Sequence, residues 1–199
     1  MPGAEPVGLL LAAGRGSRFD ASGQRNKLLA PLADGRPLAV VAAQHLLGVL
    51  PRVVAVVAPD ATLLAKHLAD VGCEVELGLA ATPGMGASLA CGVAASREAS
   101  GWVVALADMP CIAASTIASV RDGLLAGHDL VAPRYAGQRG HPVGICARHL
   151  NTLLTLSGDQ GARRLFATEP VHWVDVEDEG VLRDVDTPDD LNHLPLRAT

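Results

Sequence analysis

Val7–Arg18 reads VGLLLAAGRGSR. Its first seven residues are a continuous apolar run that breaks at Gly14. A run this short, followed by Gly, Arg and Ser, predicts a strand covered on both faces, as in parallel sheets, with a glycine loop at its carboxyl end. Working outward, the pattern repeats. Pro37–Leu50 carries Ala and Leu at helical spacing, with Pro near its start. Arg52–Ala58 (RVVAVVA) is β-branched and predicts a second strand. Asp60 is placed to cap a helix that runs to about Val71, before Gly72. Cys73–Leu77 predicts a third strand, Ser88–Ser96 a helix, Trp102–Ala107 (WVVALA) a buried strand and Ser115–Ala126 a helix. Strands follow at Asp129–Pro133 and Pro142–Cys146, helices at Arg148–Leu156 and Ala162–Ala167, and late strands at Val171–Val176 and Val181–Val185. Pro188 opens a last short helix.

Strand and helix alternation through the first two thirds predicts βαβ units and a mostly parallel sheet with helices on both faces. The irregular stretch Ala132–Val143 and the late strands predict an antiparallel excursion. The expected fold is α/β, and no linker, repeat or low-complexity tract divides residues 1–199, so one domain is expected. In open α/β sheets ligands sit beyond the carboxyl ends of the strands, so the residues just after each strand carry the chemistry.

Bulk properties narrow the function. The net charge is −5 and no Lys/Arg run interrupts it, which argues against a nucleic-acid partner. Two Trp, two Phe and one Tyr leave Ala, Val and Leu to fill the core. The four cysteines, Cys73, Cys91, Cys111 and Cys146, lack any CxxC pair, against zinc or a disulfide framework. Without a signal-like start or a membrane-length apolar stretch, a cytoplasmic, membrane-free protein is expected.

Three readings compete for the loop Leu11–Arg18, LAAGRGSR. A dinucleotide loop needs GxGxxG, and Phe19 stands at the third glycine. A Walker A loop needs GxxxxGK[ST], which the chain lacks. A glycine loop that brings its backbone to a nucleotide, with Arg15, Arg18, Arg25 and Lys27 as cations, fits, and a plain surface turn fits equally well. Asp108 follows WVVALA directly and precedes Met109-Pro110, either a ligand-facing acid or a loop residue. Asp186 stands in RDVDTPDDL, where it or Thr187 also suits the cap of the helix that Pro188 starts. Ser88 is a plausible N-cap. His45, His67, His149, His172 and His193 show no metal spacing and read as structural or exposed.

LAAGRGSRF, then NKLLAPL over Asn26–Leu32, resembles the opening of the MobA-like nucleotidyltransferase superfamily, which shows a strand, LAxGxSxRxG, a gap, and Lys before a hydrophobic-Pro stretch. Asp20 replaces a frequent Gly, and Ala21–Gly23 is inserted. ADMP, with Ala107 for Gly, is similar to the family's GDMP, and Asp184–Leu191 resembles its closing D-[IV]-[DN]-T-P motif. Gly84–Leu89 (GMGASL) resembles a segment near the nucleotide. Gly140–Val143 (GHPV) and Gly158–Arg163 (GDQGAR) resemble the MocA-like branch, the molybdenum cofactor cytidylyltransferases.

The resemblance implies a three-layer Rossmann-like nucleotidyltransferase fold. It implies nucleotide contacts at Leu11, Ala12, Ala13, Gly14, Gly16, Ser17, Arg18, Lys27, Ser88 and Asp108, and catalytic roles for Lys27, Arg18, Asp108 and Asp186. Asp108 and Asp186 would hold Mg²⁺, which takes one or two carboxylates plus substrate phosphates. Asp184, Asp189 and Asp190 are left as solvated or capping charges. Arg139, His141 and Arg163 would meet the acceptor, a molybdopterin-type phosphate, and a molybdoenzyme would receive the product. LAAG rather than LAGG points to CTP, with Ala12 and Ala13 narrowing the base pocket. Two alternatives are another cytidylyl- or guanylyltransferase of the superfamily and a non-catalytic assembly factor.

Overall fold

The computed structural model describes residues 5–194 apart from 15, 17, 21–24, 79–83 and 160. The expectations for Arg15, Ser17 and the Ala21–Gly23 insertion lie outside the described residues. The strands are β1 (Val7–Ala12), β2 (Val53–Val57), β3 (Glu74–Leu77), β4 (Gly101–Leu106), β5 (Leu130–Tyr135), β6 (Gln138–Arg139), β7 (Val143–Cys146) and β8 (His172–Asp175). The helices are α1 (Leu38–Leu47), α2 (Thr62–Asp70), α3 (Met85–Ala94), α4 (Ala114–Leu125), α5 (Leu150–Leu154), α6 (Arg163–Thr168) and α7 (Pro188–Asn192).

One sheet runs β3-β2-β1-β4-β7-β5, and β5 also pairs with β6 and β8. β3, β2, β1 and β4 are parallel neighbours. β7 lies antiparallel between β4 and β5, and β8 is parallel to β5. The antiparallel excursion therefore enters the middle of the sheet as β7. β1 is central: Leu10 aligns with Ala55 of β2 and with Ala105 of β4.

Alternation along β1 explains the two cores. Leu10 and Ala12 join Leu38, Leu46, Leu64, Leu68, Ile117 and Val120 from α1, α2 and α4. Val7 and Leu9 face the other way, onto Leu89, Val93 and Leu153 from α3 and α5. Each such Val or Leu contributes about 1.5–3 kcal/mol by leaving water. The buried Trp102 donates from Nε1 to Ser96 Oγ at 3.0 Å, and Ser96 donates on to the Gly92 carbonyl at 2.8 Å. The result is an α/β/α sandwich in which β1 and β4 carry their loops to the same edge. The chain winds from β1 outward to β3 and then returns to β4 on β1's other side, so this edge is the switch point where open α/β sheets take ligands.

Three local expectations change. Val181–Val185 is not a strand: Glu179–Leu182 is a 3₁₀ turn. The segment makes single bonds to separate neighbours, His141 N–H to the Val181 carbonyl at 2.9 Å and Val185 N–H to the Asp108 carbonyl at 2.9 Å, and so has no ladder to extend. Ser88 is not an N-cap, because α3 begins earlier, and its hydroxyl donates to the Gly84 carbonyl at 3.0 Å. Asp60 does not cap α2, where Ala61 takes the N-cap position without a side-chain bond.

Candidate active site

The loop after β1 is shaped by two glycines with different tasks. Gly16 has φ +59°, and a Cβ there would lie 2.8 Å from Lys27 Cβ, so glycine lets the turn close over the lysine stem. Gly14 is exposed, and a Cβ there would meet nothing within 4 Å. Its backbone faces open space beyond the end of β1. Phe19, the residue that breaks the dinucleotide pattern, is buried in the α1-side core and anchors the loop from below. Asp20 accepts from the Arg25 backbone N–H at 2.7 Å.

Lys27 opens a 3₁₀ turn capped by Asn26, whose Oδ1 accepts from Leu28 N–H at 2.9 Å. The lysine side chain is 7 % exposed, and Nζ reaches Asp108 Oδ2 at 2.9 Å and Asp186 Oδ1 at 3.2 Å. Arg18 Nη1 reaches the other oxygen of Asp186 at 2.6 Å. Residues from the first loop, from the end of β4 and from the carboxyl-terminal segment thus converge. Val185 N–H on the Asp108 carbonyl fixes the two acidic segments to each other.

Asp184 joins them. One carboxylate oxygen from each of Asp108, Asp184 and Asp186 lies within 4.8 Å of the others. On the sequence alone Asp184 reads as a solvated or capping charge. It is exposed on one side, yet desolvation and then the carboxylates of Asp186 and Asp108 hold its pKa above the ordinary Asp value. Asp108 Oδ1 is buried with no hydrogen-bond partner among the described residues. A buried bare carboxylate oxygen beside two further acids suits a divalent cation, which such oxygens ligate. The donor set therefore fits Mg²⁺ or a similar hard ion.

The remaining candidates sort clearly. Arg139, His141 and Arg163 line one cavity of about 240 Å³, with Leu11, Met85 and Leu106 among its other walls. Arg139 stacks over Phe166 at 5.2 Å from the ring centroid. Burial, and then the nearby Arg163 charge, lower the Arg139 pKa from its usual value. Neither guanidinium has a carboxylate within salt-bridge distance among the described residues. Asp159 lines the same cavity without forming an ion pair with either, and two adjoining cations so placed suit an anion. Burial pushes the His141 imidazole down to about 4, and its buried Nδ1 has no hydrogen-bond partner among the described residues. It is a neutral ring in the wall of the cavity. The loops Gly84–Gly86 and Ser157–Gly158 pack together beside this cavity, with Gly86 N–H donating to the Gly158 carbonyl at 2.7 Å. Gly84, at φ +123°, lies so close to Gly158 that a Cβ would fall 2.4 Å from its carbonyl.

Two expectations are narrowed. Ala12 is buried in the α1-side core, so its methyl cannot shape a base pocket and only its backbone is available. Ser88 spends its hydroxyl on Gly84 and bears on the site only by holding that turn.

Sequence reasoning missed Asp178. It is buried, and its Oδ2 accepts from Ala113 N–H and Thr116 Oγ1, both at 2.8 Å, while Oδ1 accepts from Gly180 N–H at 3.2 Å. It ties the carboxyl-terminal segment to the loop that follows Asp108. An acid inside VEDEGV carries no local signal of that role.

Residues 8–174 match the model of the MobA-like NTP transferase domain. The chain belongs to the MobA-like NTP transferase family. Asp184 and Asp186 fall beyond the matched residues, so their place in the site rests on the geometry above. A nicotine blue oxidoreductase of Paenarthrobacter nicotinovorans is 33 % identical over 94 % of this chain and 95 % of its own. The crystal structure of Rv0371c from Mycobacterium tuberculosis H37Rv superposes with a TM-score of 0.81 at 26 % identity, over 95 % of this chain and 97 % of that one. The same protein's complex with manganese gives 0.79 at 25 % identity, with the same coverage. A structural relative of this chain has thus been solved with a divalent metal. No helix of the described residues is long and apolar enough to cross a membrane.

Proposed function

We propose that this MobA-like protein transfers a nucleotidyl group from CTP to the terminal phosphate of a molybdopterin-type acceptor, in the cytoplasm, and releases pyrophosphate. One observation carries the reading: the Lys27–Asp108–Asp186 centre adjoins a cavity walled by two guanidiniums without acid partners. That arrangement supports reading a triphosphate site beside an anionic acceptor site. Leu11 lines the cavity and also ends the strand that delivers the glycine loop.

In this reading the backbone around Gly14 and Gly16 orients the triphosphate. Lys27 and Arg18 neutralise its non-bridging oxygens. Asp108, Asp184 and Asp186 would hold the metal, Mg²⁺ by their all-oxygen chemistry, and it would offset charge on the phosphates in transfer. Arg139 and Arg163 hold the acceptor phosphate, and a phosphate oxygen attacks the α-phosphorus in line as the bond to pyrophosphate breaks. That oxygen is ionised at neutral pH, so no protein base is required. His141 gives the acceptor side of the cavity a neutral wall. The preference for CTP rests on the resemblance of LAAG to the cytidylyl branch and on the half-buried Ala13, and the product would pass to a molybdoenzyme.

A second reading comes from the relative named as a nicotine blue oxidoreductase, which makes a reductase role the competing expectation. Two assays separate them. Pyrophosphate release is measured with each NTP, Mg²⁺ and molybdopterin, and reduced-nicotinamide oxidation is measured with a quinonoid dye. Release with CTP and no nicotinamide oxidation is expected. Dye-dependent oxidation without release from any NTP would replace the transferase reading.

A further inference from the structure

Charges of both signs line the cavity of about 240 Å³ without neutralising one another. Asp159 shares its wall with Arg139 and Arg163, yet its carboxylate has no ion pair or hydrogen bond among the described residues. Each charge is held by its own surroundings. Arg139 lies over the Phe166 ring, 5.2 Å from its centroid. Asp159 follows Gly158, whose carbonyl accepts from Gly86 N–H at 2.7 Å. Its Oδ1 rests against Gly84, where a Cβ would lie 2.8 Å away, so glycine at that turn leaves the carboxylate its place. Burial and the Arg163 charge act on the Arg139 guanidinium, with no opposing pull from Asp159. The acid and the cations therefore stand apart within one cavity.

The rest of the wall is apolar or neutral, with Leu11, Met85, Leu106 and Phe166 beside the uncharged His141 ring. An acid near an anion site repels the anion, so a ligand that binds here must offset that cost. N–H donors on the ligand do so, because an ionised carboxylate only accepts hydrogen bonds. Its two oxygens are matched best by two neighbouring N–H bonds on one edge. Pockets for whole drug-sized ligands run to about 300–1,000 Å³, so the smaller volume here suits a ring and its anion.

We propose that Asp159 selects the acceptor by its ring, a fused nitrogen heterocycle with two neighbouring N–H donors on one edge and its phosphate on Arg139 and Arg163. The inference rests on the nucleotidyltransferase reading and specifies the acceptor of that same site. A ring with a carbonyl in place of one donor turns a lone pair onto the carboxylate and is rejected.

The test uses two fluorescent probes, pterin-6-carboxylate and lumazine-6-carboxylate, titrated against the full chain at pH 7. The carboxylate of each stands for the phosphate. The pterin presents N3–H and its 2-amino group side by side, and the lumazine has a carbonyl where that amino group stands. Wild type is expected to bind the pterin roughly tenfold or more tightly than the lumazine. Asp159→Asn should bring that ratio near one, because its amide keeps one acceptor and turns an N–H toward the ring. Arg163→Gln should weaken both probes alike and leave the ratio unchanged. A ratio near one in wild type, a ratio unchanged in Asp159→Asn, or no binding of either probe would overturn the proposal. Calorimetry with a non-hydrolysable CTP analogue and Mn²⁺ separates this failure from failure of the parent reading. Analogue binding that is equal in wild type and Asp159→Asn, alongside a failed ratio, removes the ring selection alone. Analogue binding that drops in Asp159→Asn while the probe ratio stays assigns Asp159 to the nucleotide and overturns the proposal. No analogue binding removes the nucleotidyltransferase reading and the ring selection with it.

Discussion

Lys27 is a buried cation at the edge of the sheet, and Gly16 is the residue that makes room for it. Replacing Lys27 or Asp108 by Ala is expected to lower turnover by about 10²–10³-fold or more, because on the proposed mechanism Lys27 would neutralise the triphosphate and Asp108 would hold the metal. The far-ultraviolet circular dichroism should stay that of the folded protein, and near-wild-type rates in either variant would reject the roles given to them. The two loop glycines should respond differently. Gly14→Ala meets no atom within 4 Å and should leave the melting temperature unchanged while raising the KM for nucleotide. Gly16→Ala forces φ +59° on a residue with a Cβ and presses on Lys27, and should cost about 1 kcal/mol or more in denaturant titrations. Equal stability of the two variants would contradict this division. At this scale the sequence was informative about proximity: Lys27, Asp108 and Arg18, singled out by residue type and position, do meet around Asp186 in the fold. It misled at Ala12, because β1 alternation, not motif membership, decides which side its methyl faces. Asp184 was underestimated, because its proximity to Asp108 arises only when two segments far apart in the chain meet.

At the scale of elements, the site depends on how the carboxyl-terminal segment is fastened. Thr187 caps α7 with a reciprocal bond to Asp190, and Asp190 Oδ2 also accepts from Asp186 N–H at 2.9 Å. Thr187→Ala should cost about 1 kcal/mol. It should also weaken metal binding more than its stability loss explains, because the cap holds the backbone of Asp186. Manganese affinity measured well below the melting transition checks this, and an unchanged affinity would make the cap a stability feature alone. Asp178 fastens the other end of the segment to Ala113 and Thr116. The parallel strands were legible because β1, β2 and β4 are short, wholly apolar and punctuated by Gly, Pro or Asp. The Val181–Val185 stretch was misread because an apolar run has the composition of a strand, but a strand also needs a neighbour to pair with. β6 was missed because two polar residues gain strand geometry only from their pairing with Arg134 and Tyr135. β7's place between β4 and β5 is a tertiary choice that no local pattern encodes.

At the scale of the whole molecule, the described residues form one eight-stranded sheet with a core on each face, and it carries Lys27, Asp108, Asp186 and the arginine-lined cavity to one edge. The buried His141 gives that assembly a pH signature. Its folded pKa, about 4, lies below the ordinary histidine value of 6.5, so the unfolded chain binds the extra proton first. The His141 contribution is therefore fully present above about pH 6.5 and is lost as pH falls toward 4, on the order of 3 kcal/mol in all. Urea midpoints at pH 7 and pH 5 should differ accordingly, and His141→Gln should flatten the difference; a slope unchanged in that variant would assign it to other groups. The central claim is that the edge shared by Lys27, Asp108, Asp186 and the arginine-lined cavity performs nucleotidyl transfer. Its most direct test is to supply CTP labelled at the α-phosphorus, with Mg²⁺ and molybdopterin, and to follow the label. The label should appear on the acceptor in equal amount to the pyrophosphate released, and neither should appear with Asp108→Ala. Label that stays on free CTP, with wild-type protein that binds both compounds, would contradict the account.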